Sequence, residues 1–126
     1  MIRSEPRPVG RVWFCAQEPE FEARISRCYE LAGRAVVMGS APAGAMLVHG
    51  SWHGPGAPRR IGHAWVEWES EVGPRVWEPI TGRIYETEAF YAWTAAEIEV
   101  AYTKAEASRE MVKSGHFGRW HESPHP

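Results

Sequence analysis

The chain has 126 residues, of which 44% are hydrophobic and 24% charged, with a formal net charge of -2. That length buries one core, so a single domain over 1–126 is expected, with a loose arm at 1–10 and a polar tail at 116–126. The near-neutral charge leaves no electrostatic footprint for nucleic acid or an anionic membrane surface, and no apolar run approaches the about 18 residues that span a bilayer.

Two cysteines, Cys15 and Cys28, are too few for a disulfide scaffold, and the start Met1-Ile2-Arg3-Ser4-Glu5-Pro6 lacks the apolar stretch of a signal peptide. The expected location is the cytoplasm, where both stay thiols.

After the proline-containing arm, Val12 to Cys15 reads as a short apolar strand. Pro19 then stands where a first helical turn tolerates proline, and Phe21, Ile25, Cys28, Ala32 and Val36 recur at helical spacing up to a stop at Gly39. A turn at 42–44 leads to a strand over Met46 to Trp52, and the Gly- and Pro-rich stretch His53 to Arg60 reads as a surface loop. Ile61 to Glu69 and Pro74 to Ile80 form an antiparallel hairpin around Ser70 to Gly73, and Thr81-Gly82 is a further turn. Glu88 to Trp93 reads as a short helix and Ile98 to Tyr102 as a strand. Thr103, with Glu106 three residues on, is a capping box for a last helix ending at Ser114-Gly115. One long early helix followed by sequential strands is an α+β pattern, with the helix on one face of a small, mostly antiparallel sheet. No Gly-rich phosphate loop follows a strand, which argues against a nucleotide-binding fold.

Two segments carry the chemistry: Arg27-Cys28-Tyr29-Glu30-Leu31-Ala32 on the helix, and Ile61-Gly62-His63-Ala64-Trp65-Val66-Glu67 on a strand, with Val76-Trp77-Glu78-Pro79 on the next. A thiol is a nucleophile only as thiolate, a form favoured at a helix N-terminus or beside an imidazolium. Cys28 lies in a first turn if the helix begins at Ser26 and in mid-helix if it begins at Pro19; a break near Ile25-Ser26 satisfies both starts. His63 suits a general base and acid, and Glu78 an orienting carboxylate. Hairpin register decides whether they meet. A two-residue loop at Ser70-Glu71 sets them directly opposite, a four-residue loop at 70–73 makes them diagonal neighbours on one face, and an odd loop separates them. Trp65 shares the face of His63 and Trp77 takes the face opposite Glu78; either shields the ion pair or packs the core.

The order of Cys28, then His63-Ala64-Trp65-Val66-Glu67, then Val76-Trp77-Glu78-Pro79 resembles the transglutaminase-like branch of the papain-like cysteine peptidases, over residues 20 to 82. The resemblance implies a papain-like core and a Cys28-His63-Glu78 triad, with Glu where the family usually has Asp. It implies a peptide or amide-containing substrate, no cofactor and no metal, and it makes Gln17 a candidate oxyanion donor beside a groove bordered by Trp65 and Trp77.

Other readings stand beside this one. Cys28 also continues an apolar helical stripe, as a packing cysteine would. In that case the domain is a non-catalytic binding module that keeps the same fold and binds a protein or ligand through its aromatic side chains. Glu67 reads as a solvated strand end and Cys15 as an apolar strand residue. Arg59 and Arg60 either steer an acidic substrate or solubilise their loop. His49 and His53, with His63 or Cys28, match no standard zinc spacing, and His116, His121 and His125 fall in the polar tail.

Overall fold

The computed structural model describes residues 4–120. In chain order it contains β1 (Gly10–Arg11), α1 (Phe21–Ile25), α2 (Cys28–Val37), β2 (Met46–Trp52), β3 (Ile61–Ser70), β4 (Gly73–Glu78), β5 (Arg83–Glu86), α3 (Thr87–Thr94), β6 (Glu97–Tyr102) and α4 (Lys104–Ser114). The six strands form one sheet in the order β1-β5-β4-β3-β2-β6, and every neighbouring pair is antiparallel. The α+β expectation holds at this level.

Strand alternation divides the core in two. Leu47, Ala64, Val66 and Trp77 point to the face covered by α2 and α4, where they meet Ala32, Ala35, Val36 and Ala107. Val48, Trp52, Trp65 and Val76 point the other way, against Phe90 and Trp93 of α3. Helices therefore cover both faces of the sheet. The expectation of one covered face came from the early helix alone, which gives no information on where the short α3 returns.

The early helix is not one long helix but two. Ser26 closes α1, its backbone and that of Arg27 leave the helical region, and the Arg27 N–H turns back to the Arg24 carbonyl. The Arg24 side chain makes the break worthwhile. Buried at 7% exposure, it donates to the carbonyls of Pro19 and Ile80 and to the Glu18 carboxylate, and it lies 5.0 Å from the Trp13 ring. Cys28 thus becomes the first residue of α2, and Cys28, Leu31, Ala32, Ala35 and Val36 form the buried stripe of that helix.

The β2 strand, the hairpin, α3 and the Thr103–Glu106 capping box stand where the sequence places them, the box with both reciprocal hydrogen bonds. Val12 to Cys15 is irregular rather than a strand, because the Trp77 indole N–H takes the Val12 carbonyl that a ladder would use. The arm is not loose where it is described. Glu5 accepts from Arg83 and from the Tyr85 hydroxyl, and Val9 bonds to Ile84. This pairing depends on β5, a four-residue strand too short to announce itself by periodicity. The described part of the tail also docks: Phe117 packs over Gly33 of α2, and Trp120 lies against His49. His121 and His125 lie outside the described residues. Among the described residues, no helix is long and apolar enough to cross a membrane.

Candidate active site

The β3–β4 hairpin closes through Glu71 and Val72, with Ser70 paired to Gly73 and Val66 to Trp77. The Ser70 hydroxyl donates to the Gly73 carbonyl and accepts from the Val72 N–H, which fixes the turn. In this register Glu69 pairs with Pro74, the pairing expected of a four-residue loop, with one further pair added at the tip. Continued along the strands, it sets Glu78 beside Trp65 and makes His63 its diagonal neighbour on the same face. Their side chains meet there: His63 Nε2 lies 2.9 Å from Glu78 Oε2, and both residues are 1% exposed.

Glu78 is the last residue of β4, and its carboxylate folds back over the turn that follows. Oε2 also accepts the Ile80 N–H and Oε1 the Thr81 N–H, each at 2.9 Å. Burial alone would raise its pKa, but His63 and these two N–H groups outweigh that and hold it below the usual carboxylate range. Burial alone would lower the His63 pKa. The Cys28 thiol and the Glu78 carboxylate overcome that effect and raise it above the ordinary value of 6.5. The thiol is close enough to bear on the ring, though without the regular hydrogen-bond geometry that joins the ring to Glu78.

Two glycines permit this approach. Gly50 pairs with His63 across β2 and β3, and a Cβ there would stand 2.9 Å from the Trp65 ring and 2.1 Å from the Glu97 carbonyl, where the β2–β6 ladder shifts register. A Cβ on Gly62 would stand 2.7 Å from the Tyr29 hydroxyl, so Gly62 lets the residue after Cys28 lie directly on β3.

The structure brings Cys28, His63 and Glu78 together. Trp65 lies 6.0 Å from the His63 ring, and its indole N–H donates to Glu67. Glu67 is not a solvated strand end: it also accepts from the Tyr91 hydroxyl and so ties β3 to α3. Trp77 is on the other face, between Trp13 and Phe14, and belongs to the core there. Gln17 lies on the β1–α1 loop in a cavity beside α2, with Cys15, Arg27 and Arg34, and does not join the triad. The α2 N-terminus offers its own donors, because the first N–H groups of a helix lack intrahelical partners and the Arg27 side chain does not cap them. Cys15 packs there as a half-buried thiol that donates to the Leu31 carbonyl. Arg60 donates to the Ala95 carbonyl, which anchors its loop to α3.

Four participants were not evident from the sequence. Trp52 stacks flat on His63, with ring centroids 3.7 Å apart; the preceding strand pattern gave its face, but the eight-residue loop hid its register. The Ile80 and Thr81 N–H groups and the Arg24 guanidinium carried no signal. His49, by contrast, is enclosed by Tyr29, Tyr102 and Trp120, away from His53. Among the described residues no group of three His, Cys, Asp or Glu is placed to hold a metal ion. No family model matches this chain, and neither the curated proteins nor the solved structures contain a match to it.

Proposed function

We propose that the chain is a cysteine-dependent hydrolase or acyltransferase acting on an amide or peptide bond, with Cys28 as nucleophile, His63 as general base and acid and Glu78 as orienting carboxylate. The observation that carries this reading is the buried His63–Glu78 hydrogen bond, in which a carboxylate fixed by two backbone N–H groups holds one ring nitrogen while the thiol at the head of α2 bears on the ring. A salt bridge with no exposure is weak as a stabilising device, whereas the same pair beside a thiol holds an imidazole in one tautomer and supports its cationic form.

In this reading the Cys28 sulfur attacks the carbonyl carbon, and the proton leaves with His63. The oxyanion forms against the N–H groups of the first turn of α2, which replace Gln17 as donors. His63 then returns the proton to the leaving amine, and water or another amine releases the acyl group. The resemblance to the transglutaminase-like branch rests on the order of the three residues, and a papain-like core belongs to the same proposal.

The binding-module reading is favoured by one observation: Cys28 is only 7% exposed and sits in the stripe of α2 that faces the sheet. p-Nitrophenyl acetate separates the two. The catalytic reading expects a burst of nitrophenolate, an acetyl adduct located on Cys28 by peptide mass spectrometry, and loss of both in a folded Cys28→Ala variant. Acetylation of Cys28 no faster than that of free cysteine would refute it.

A further inference from the structure

One flank of α2 borders a cavity of about 600 Å³, within the range of about 300–1,000 Å³ typical of small-ligand sites. Its helical wall carries Arg27, Glu30, Leu31 and Arg34, one stripe at i, i+3, i+4 and i+7, and the 15–19 loop forms the opposite wall. Arg27 is the residue before Cys28 at the head of α2, and Cys28 itself does not line the cavity.

The charges around the cavity do not balance. In the wall itself Arg27 and Arg34 share the single carboxylate of Glu30, while the wall's other carboxylate, Glu18, is taken by Arg11 and Arg24, which do not line the cavity. Two guanidiniums stand against each carboxylate, in a chain whose net charge is -2. Arg34 spends only its Nε on Glu30; its two terminal nitrogens make no hydrogen bond among the described residues, and the Phe117 ring supports its guanidinium at 5.1 Å. The Arg27 guanidinium above all, with Arg34, keeps Glu30 ionised by holding its pKa at about 2. A planar, fixed guanidinium with free N–H groups is the residue chemistry that takes a carboxylate in a two-point contact.

We infer that this cavity is a carboxylate-recognition site in which Arg34 binds an acidic group, from a side chain or a chain terminus, of a peptide. The binding does not require Cys28 to react.

Cys15 lies in the cavity wall and reports on it independently, since Arg34 and Arg27 both act on its thiol. The test compares alkylation of Cys15 by anionic iodoacetate and neutral iodoacetamide, a ratio that cancels the thiolate fraction. In Arg34→Gln the ratio should fall by about threefold or more, as expected for one charge removed nearby, and the fall should vanish in high salt. In Arg109→Gln, a charge on α4, it should not change. Protection of Cys15 is then measured with three capped peptides: one with a free terminal carboxylate, one amidated with a single Glu, and one neutral. Protection by either acidic peptide but not by the neutral one supports the site and identifies the source of the carboxylate. An unchanged ratio in Arg34→Gln, or equal protection by the neutral peptide, overturns it. Failure of Cys28 to react with either reagent would remove the catalytic reading while leaving the Cys15 result to decide the binding site.

Discussion

The Trp52 indole lies flat on the His63 imidazole, with centroids 3.7 Å apart and planes within 7°. It covers the ring that Glu78 holds from the side and so keeps water from the hydrogen bond between them, which strengthens that bond electrostatically. In Trp52→Ala the loss of a buried indole should cost about 3–5 kcal/mol by denaturant unfolding. The His63 Hε2 proton should exchange slowly in the wild type and be lost from the NMR spectrum of the variant. Persistence of that signal would show that Trp52 serves packing alone.

Glu78→Gln keeps the shape of the side chain and removes its charge. The His63 pKa should then fall by at least about one unit, about 1.4 kcal/mol of lost support for the imidazolium, read from the imidazole carbon shifts in an NMR titration. An unchanged value would mean that the thiol alone sets it.

The same pair governs part of the stability-pH profile. His63 is raised on folding, so its contribution is complete below the ordinary value of 6.5 and is lost as pH rises through the folded value. Glu78 is lowered, so its contribution is complete above 4.5 and is lost as pH falls through the folded value. His49 behaves oppositely to His63. Burial first, then Arg119, lowers it to about 4, and both its ring nitrogens lack partners among the described residues. The unfolded chain therefore takes up a proton that the folded chain refuses, and stability falls from pH 6.5 down to 4, by up to about 3 kcal/mol. His49→Phe should flatten that interval and leave the alkaline limb unchanged, measured by urea unfolding at each pH.

Arg24 joins α1 to the turn that holds Glu78, through the Ile80 carbonyl. Arg24→Met should cost about 1–3 kcal/mol, because the carbonyls of Pro19 and Ile80 lose their donor in a partly buried setting. Amide exchange at Ile80 and Thr81 should accelerate together. Exchange confined to α1 would show that Arg24 supports its own helix and not the site.

Much of the site was legible because short-range rules place it. Period-two alternation put His63 and Trp65 on one face and Trp77 on the face opposite Glu78, while the turn near Ser70 to Gly73 left Glu78 opposite His63, diagonal to it or on the other face, according to loop length. The helix break at Ser26 was one of the starts the sequence left open. What selects it is Arg24 reaching the Ile80 carbonyl 56 residues away, a tertiary contact that no local pattern encodes. The same holds for Trp52, whose partner is set by register across a loop, and for β5, which exists by pairing with the arm. Gln17 was misplaced because distance along the chain is a poor guide to which side of α2 a loop passes.

The central claim is that Cys28 and His63 act as a pair, and the most direct measurement is the pH dependence of iodoacetamide labelling at Cys28, located by peptide mass spectrometry, in the wild type and in His63→Ala. Labelling should be much faster than that of free cysteine, persist well below neutral pH and collapse in the variant. Slow labelling in both proteins, accelerating only on unfolding, would contradict the account and leave Cys28 as a packing residue of α2.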